Sequence, residues 1–381
     1  MTDQFRDIRP YQDAEIRPVL DRLITDSEFL ESIASFYYPR LTKLFAPVMR
    51  NLAQRKLRQQ VDAVHDVKSM QDVIAGYMDK MIEDTTTSLT HSGMENLGQD
   101  RNYLFICNHR DITMDPAFVN YMLYHAGCDT LQIAIGDNLL KKPFVTDLMR
   151  LNKSFIVRRS LKGRELLKSL SQLSQYMHYC IGNGENVWIA QREGRAKNGI
   201  DRTDPALLKM LAMGRRDLPL GESLTQLHIV PVSISYEYDA CDVLKARELY
   251  AIDTTGSFQK TDQSDIDSIV RGMIGEKGAV HVAFGEELDI TSDDPDQIAA
   301  QIDTQIIHNY RLNDSNHIAV QLLEERGMLE AVDLGEIPTR QVSSSSLAAF
   351  NERLAQVDET LHKHFLLSYA NPVLNRYGLC S

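Results

Sequence analysis

The chemically suggestive stretch of this sequence runs Leu104-Phe-Ile-Cys-Asn-His-Arg-Asp-Ile-Thr-Met-Asp-Pro-Ala-Phe. An apolar run of strand type delivers Asn108 and His109 to its carboxyl end, the edge at which α/β sheets bind ligands. Asp115 and Pro116 then read as the N-cap and first residue of a helix. An alcohol attacking a thioester must shed its proton as the new bond forms. A neutral imidazole, with a reference pKa of about 6.5, takes that proton near neutral pH. A carboxylate on the other ring nitrogen fixes the tautomer and steadies the imidazolium. No covalent acyl-enzyme is then required. Alone, the pattern is weak, because a His and an Asp this close are common and the Asp could be a plain cap.

The surrounding elements must hold such a group at a sheet edge. Short apolar runs of strand length fall at 103–107, 131–135, 155–157, 187–190, 228–235 and 280–284. Helical patterns such as 116–125 and 161–181 alternate with them. The alternation predicts an α/β fold, a mixed sheet with flanking helices. Residues 1–95 read as an N-terminal helical region, 96–295 as the α/β domain and 296–381 as a C-terminal helical region. Within the first region, Met70, Val73, Ile74, Tyr77, Met78, Met81 and Ile82 share one helical face. A second stripe, Leu41, Leu44, Phe45, Val48 and Leu52, is backed by Lys43, Arg50, Arg55, Lys56 and Arg58. This helix is expected to pack its apolar side inward under a solvated basic face, and membrane contact is the alternative. Residues 85–98, rich in Thr, Ser and Gly, read as a connection. Toward the end, Ile298, Ile302, Ile306 and Tyr310 form one stripe. Leu347, Phe350, Leu354, Val357 and Leu361 form a short seam of coiled-coil spacing, and the Ser343–Ser346 run before it reads as a loop or N-cap.

Composition bounds the chemistry. The 381 residues are 43% apolar and 25% charged, enough for a sizeable core without disulfides or metals. A net charge of −12 argues against non-specific nucleic-acid binding, so an anionic substrate needs a local basic patch. Cys107, Cys128, Cys180, Cys241 and Cys380 show no metal-ligand or redox spacing, which suggests idle thiols in a reducing compartment. The charged first residues predict no secretory leader, and no 18-residue apolar stretch predicts a membrane span.

The order of segments resembles the glycerolipid acyltransferase superfamily, which includes glycerol-3-phosphate and 1-acylglycerol-3-phosphate acyltransferases. The family's first block is Asn-His followed by an Asp after four residues. Asn108, His109 and Asp115 match it with five residues between the last two, and Asp111 is the rival partner. The second block, Phe-Ile-x-Arg, is present as Phe155-Ile156-Val157-Arg158, with Arg159 following. The resemblance gives this Arg the acceptor phosphate, and Arg150, Lys153, Lys162 and Arg164 lie close in sequence. The third block, Glu-Gly-Thr-Arg-Ser, corresponds to Glu193-Gly194-Arg195-Ala196, one residue shorter. In this resemblance Glu193 meets an acceptor hydroxyl, Gly194 lets backbone approach the ligand, and Arg195 meets phosphate. The fourth block, Val230-Pro231-Val232, lines the acyl or thioester region in the family; a proline in a strand suggests an edge or bulge. The likeness spans residues 100–235, with weaker echoes at Asn309-Tyr310 and Asn316-His317.

What the resemblance implies is an O-acyltransferase of phospholipid synthesis with a His-Asp general base. Acyl-CoA or acyl-carrier protein is the expected donor, serving as co-substrate with no cofactor or metal. The leading acceptor is 1-acylglycerol 3-phosphate, with glycerol 3-phosphate as the alternative. Backbone N–H groups in the loop after Asn108 are expected to meet the oxyanion. A thioester hydrolase and a non-catalytic lipid- or carrier-binding protein are the competing readings. The expected location is cytoplasmic, with peripheral contact on the inner membrane face and no nucleic-acid partner.

Overall fold

Strict alternation along one strand sets the layering. In β2 (Leu104–Cys107), Leu104 and Ile106 enter one apolar cluster while Phe105 and Cys107 enter another on the opposite face. A strand buried on both sides reads as a continuous apolar run, which is why this one was legible. The computed structural model describes residues 3–98, 100–329, 337 and 340–379.

The sheet has seven strands among the described residues: β1 (Thr86–Ser92), β2, β3 (Gln132–Gly136), β4 (Ser154–Val157), β5 (Val187–Ala190), β6 (Ile229–Tyr236) and β7 (Gly278–Phe284). Their order is β1-β7-β6-β2-β5-β3-β4. Strands β2 to β6 run parallel, whereas β7 is antiparallel to β6 and carries β1 parallel to itself. The expected mixed α/β sheet with flanking helices is therefore what forms. One face is covered by α4 (Val67–Thr85) and α5 (Met114–His125). The other is covered by α7 (Gly163–Gly182), α8 (Pro205–Leu211), α9 (Leu220–Thr225) and α12 (Pro295–Asn309), where Ile298, Ile302 and Ile306 are buried as their spacing predicts.

Two satellite clusters complete the body. The first joins α1 (Asp13–Leu23), α2 (Ser27–Tyr37), the end of α3 (Pro39–Val61) and α6 (Pro143–Leu151). The second joins α10 (Asp242–Thr255), α13 (Asp314–Glu325), α14 (Ser344–Leu354) and α15 (His362–Arg376). A last helix, α11 (Asp262–Ile274), lies between α10 and β7 in the chain. The N-terminal segment runs beside β4, where Ile156 N donates to Ile8 O at 2.9 Å.

Several expectations need correction. The 85–98 segment is no simple connection, since residues 86–92 form edge strand β1, most of whose side chains are exposed. Polar Thr-Thr-Ser-Leu-Thr-His-Ser lacks an apolar alternation because nothing packs on it strongly enough to require one. Pro231 sits in an interior strand, between β7 and β2. It costs no ladder bond, because the β7 strand ends at Phe284: Gly285 N donates to Pro231 O at 2.8 Å, and Gly285 O is met by Asn96 Nδ2 at 3.5 Å. The Leu347–Leu361 seam is not one helix, since α14 stops at Leu354 and the apolar positions continue through a turn into the same cluster. Ser343 does cap α14, accepting from Ser346 N at 2.9 Å.

Helix α3 reverses the expected burial. It kinks at Phe45, two residues before Pro47, and Leu41, Leu44, Phe45, Val48 and Leu52 all face outward, Leu44 at 74% and Val48 at 60% exposure. Among its described residues only Leu57 and Val61, near its end, join the neighbouring apolar cluster. Among the described residues no helix is long and apolar enough to cross a membrane. Cys107, Cys180 and Cys241 are buried and Cys128 is exposed, all as free thiols; Cys380 lies outside the described residues.

Candidate active site

The carboxyl ends of β2, β3, β4 and β5 share one edge of the sheet, and the loops leaving them hold the predicted residues. After β2, the chain turns tightly around a single carboxylate. Asp115 is fully buried, and its Oδ2 accepts from Arg110 N at 2.6 Å and Asp111 N at 2.9 Å. The same oxygen lies 2.8 Å from His109 Nδ1, and Oδ1 accepts from Tyr236 Oη at 2.7 Å. With three protein donors already on the carboxylate, the fourth bond uses Nδ1–H. Nε2 is then the unprotonated nitrogen, on a side chain 15% exposed. Trp188 packs edge-on against the ring, its centroid 5.8 Å away.

This arrangement decides between the two acidic candidates. Asp111 accepts from Thr113 N and Met114 N, each at 2.9 Å, and so caps α5. Asp115 is not the cap; it sits inside the first turn and faces back onto the loop. Burial, then the neighbouring Asp115, raises the Asp111 carboxyl above its usual range. Burial and then Asp115 likewise push the Tyr236 phenol well up, which keeps it a donor. Tyr236 was missed in the sequence; its only signal was its place at the end of the long β6 run. The N–H groups of Arg110 and Asp111 are consumed by Asp115, so they are not the oxyanion donors expected of this loop.

Asn108 does not face the edge. It is completely buried, and its side-chain amide extends the sheet: Oδ1 accepts from Ile234 N at 2.7 Å and Nδ2 donates to Ile234 O at 3.0 Å. Phe155 is also fully buried, packed on Tyr176 of α7 with ring centroids 5.4 Å apart, so it supports β4 and cannot touch a ligand. Pro231 is buried within β6.

The arginines divide. Arg158 turns to the N-terminal segment, where Nη2 donates to Asp7 at 2.7 Å. Arg159 turns toward the β5 loop, with Nη1 3.6 Å from Glu193 Oε1. The β4 backbone is about 14 Å from β2, three strand spacings of ~4.8 Å, so this reach toward the β5 loop matters. A Cβ at Gly136 would stand 2.3 Å from Asn138 Oδ1 and 3.3 Å from Arg159 Nη1, so glycine leaves both side chains their room. The β5 loop is tied to the base itself, because Ala196 N donates to His109 O at 2.8 Å. Arg195 donates through Nη2 to Ser268 Oγ at 3.2 Å, and its Nη1 is buried without a hydrogen-bond partner among the described residues. Gly194 takes φ +76° with open space where a Cβ would be, so backbone conformation, not close approach, calls for glycine. Arg150 and Lys153 leave the patch: Arg150 binds the carbonyls of Arg6 and Arg9, and Lys153, ahead of β4, pairs with Glu185 at 2.9 Å.

A family model described as Acyltransferase matches residues 88–235, the span from β1 to the end of β6. Over that span the chain is similar to the acyltransferases of glycerolipid synthesis. A glycerol-3-phosphate acyltransferase of Pseudomonas fluorescens Pf-5 is 26% identical over 272 residues, 70% of this chain and 31% of that protein. One from P. fluorescens SBW25 is 29% identical over 196 residues, 51% of this chain and 22% of that protein. One from P. syringae pv. syringae B728a is 24% identical over 302 residues, 78% and 34% of the two. The chain therefore spans about a third or less of these curated relatives. A solved 1-acyl-sn-glycerophosphate acyltransferase from Thermotoga maritima aligns with 80% of this chain and 100% of its own at 13% identity, with a TM-score of 0.36, too loose to argue from.

Replacing Asn108 with Ala leaves the buried N–H and C=O of Ile234 unpaired. Asn108→Ala should lower stability by roughly 2–3 kcal/mol in urea unfolding. An unchanged midpoint would contradict the clasp between β2 and β6.

Proposed function

We propose that this chain transfers a fatty acyl group from acyl-CoA or acyl-carrier protein to a hydroxyl of glycerol 3-phosphate. The observation that carries the reading is the His109 imidazole, fixed through Nδ1 by buried Asp115, with Arg159 and Arg195 on the loops that leave β4 and β5 at the same sheet edge. The names of the curated relatives favour glycerol 3-phosphate over the 1-acyl acceptor expected first.

In this mechanism the acceptor phosphate binds Arg159 and Arg195, whose buried Nη1 lacks a partner among the described residues. Glu193, 75% exposed beside Arg159, is placed to meet an acceptor hydroxyl. Phosphate binding orients the reacting hydroxyl toward Nε2, so binding energy is spent on approach geometry. His109 takes the proton as the hydroxyl oxygen attacks the thioester carbon. The tetrahedral intermediate then expels the thiolate, and the imidazolium returns the proton to sulfur. Asp115 stabilises the imidazolium meanwhile, itself held by Arg110, Asp111 and Tyr236. Oxyanion stabilisation falls to groups outside the 110–111 backbone.

The α3 surface supports peripheral contact with a membrane. Pro39–Val61 carries Arg40, Lys43, Arg50, Arg55, Lys56 and Arg58 and no acidic residue, in a chain of net charge −12. An apolar stripe beside such cations suits an anionic bilayer surface, each cation near the lipid contributing about 1 kcal/mol.

Four measurements test this reading. His109→Ala should cut acyl transfer by roughly 10²- to 10⁴-fold with the fold intact by circular dichroism, and near-normal turnover would refute the base. The assay supplies palmitoyl-CoA with glycerol 3-phosphate, then with 1-acylglycerol 3-phosphate. Acylated product supports transfer and names the acceptor, free fatty acid alone marks a hydrolase, and binding without turnover marks a non-catalytic lipid- or carrier-binding protein. Arg159→Ala should raise the acceptor KM about tenfold or more while Arg158→Ala leaves it near normal; the opposite ranking returns the phosphate to Arg158. In vesicle sedimentation, phosphatidylglycerol should retain the protein better than phosphatidylcholine, and Leu44→Glu with Val48→Glu should release it. Equal retention of the variant would exclude α3 from the contact.

A further inference from the structure

Lys245, on the first turns of α10, is 2% exposed and far from any block of the family resemblance. Its Nζ donates to Arg110 O at 2.6 Å and pairs with Asp239 Oδ2. The peptide unit it holds is the one whose other end, Asp111 N, donates to Asp115 Oδ2 at 2.9 Å. An ammonium, a peptide dipole, a carboxylate and the imidazole thus line up in series. Cation on the carbonyl and carboxylate on the N–H both favour the same orientation of that peptide, and each polarises the next bond. We infer that Lys245 is a positioning residue for the His109 base, holding the 110–111 peptide so that its N–H faces Asp115. This inference rests on the reading of His109 as the base.

The surroundings argue that orientation, not stability alone, is what the buried charge supplies. A buried ion pair is rarely more stabilising than apolar residues of the same volume. This one is nevertheless backed on every side. Asp239 N donates to Tyr369 Oη at 3.0 Å, and Tyr369 Oη donates to Asp242 Oδ2 at 2.7 Å. Arg353 binds Asp242 Oδ2 through Nε at 2.7 Å and Asp239 O through Nη2 at 3.1 Å. Helices α14 and α15 therefore fix Asp239, Asp239 fixes Lys245, and Lys245 fixes the peptide next to the base. Arg110 is clamped independently by its side chain, with Nη2 2.5 Å from Asp201 Oδ2 and 3.1 Å from Gly199 O. That clamp restrains the side chain but leaves the carbonyl direction to Lys245.

The test compares wild type, Lys245→Met, the double variant Lys245→Met/Asp239→Asn, and His109→Ala. The single variant should lose kcat by about tenfold or more with acceptor KM within about twofold, and should also lose thermal stability because Asp239 is stranded. The double variant removes both charges and should recover much of the melting temperature while kcat stays low. Recovery of kcat together with stability would reduce Lys245 to a structural role and overturn the inference. If the single variant fails to fold, the double variant carries the comparison. Should His109→Ala itself turn over normally, the base reading fails. An inactive His109→Ala beside a fully active double variant overturns the Lys245 inference alone.

Discussion

One buried carboxylate organises the site. Asp115 sits at no solvent exposure and is tolerable there only because two backbone N–H groups, a phenol and an imidazole converge on it. Each donor comes from a different piece of chain geometry. The loop after β2 must curl for Arg110 and Asp111 to point inward, α5 must start where it does to present Asp115, and β6 must run four residues beyond its pairing with β2 to deliver Tyr236. Losing any of these leaves a charge inside the protein with too few partners, so the fold is constrained by the site as much as the site by the fold.

The same logic explains why the sheet is wrapped as it is. Asn108 uses its amide as a surrogate peptide to splice the end of β2 onto Ile234, which lets the chain leave the ladder at His109 without abandoning β6. On the other side, Ala196 N ties the β5 loop to the His109 carbonyl. Helix α11 closes against the loop so tightly that a methyl at Gly272 would stand 2.2 Å from Asp111 Oδ2. The base is thereby set on a short, rigid segment between two strands, and the arginines arrive on loops with more freedom, Arg159 as a partly exposed ion pair with Glu193.

The sequence made the central strands readable because burial on both faces forces an unbroken apolar run, and 187–190 coincides with β5. The His109–Asp115 pairing was readable from residue type and order, yet the choice over Asp111 was not: the two carboxylates lie four residues apart across a loop-to-helix junction, and only the direction of the N–H groups separates them. Arg158 and Arg159 are neighbours in sequence and part ways in space, since successive side chains leave an extended backbone on opposite sides. Phe155 looked like part of a binding block because it opens the Phe-Ile-x-Arg run, but it is fully buried against Tyr176. Edge strand β1 and the outward stripe of α3 were missed because both depend on what is absent around them, a packing partner, which no local pattern encodes. Tyr236 and Lys245 act across 121 and 135 residues of chain, separations at which a single sequence carries no signal.

The N-terminal segment beside β4 has a consequence for how the protein can be handled. Through Ile8 O it occupies an N–H that an outermost strand would otherwise offer to another molecule, and Arg158 with Asp7 pins it down. Trimming the chain to the start of α1 would uncover that N–H on the outermost strand, the kind of edge on which another strand can pair. Affinity tags and proteolytic cuts are therefore better kept away from residues 3–10, which cover that edge.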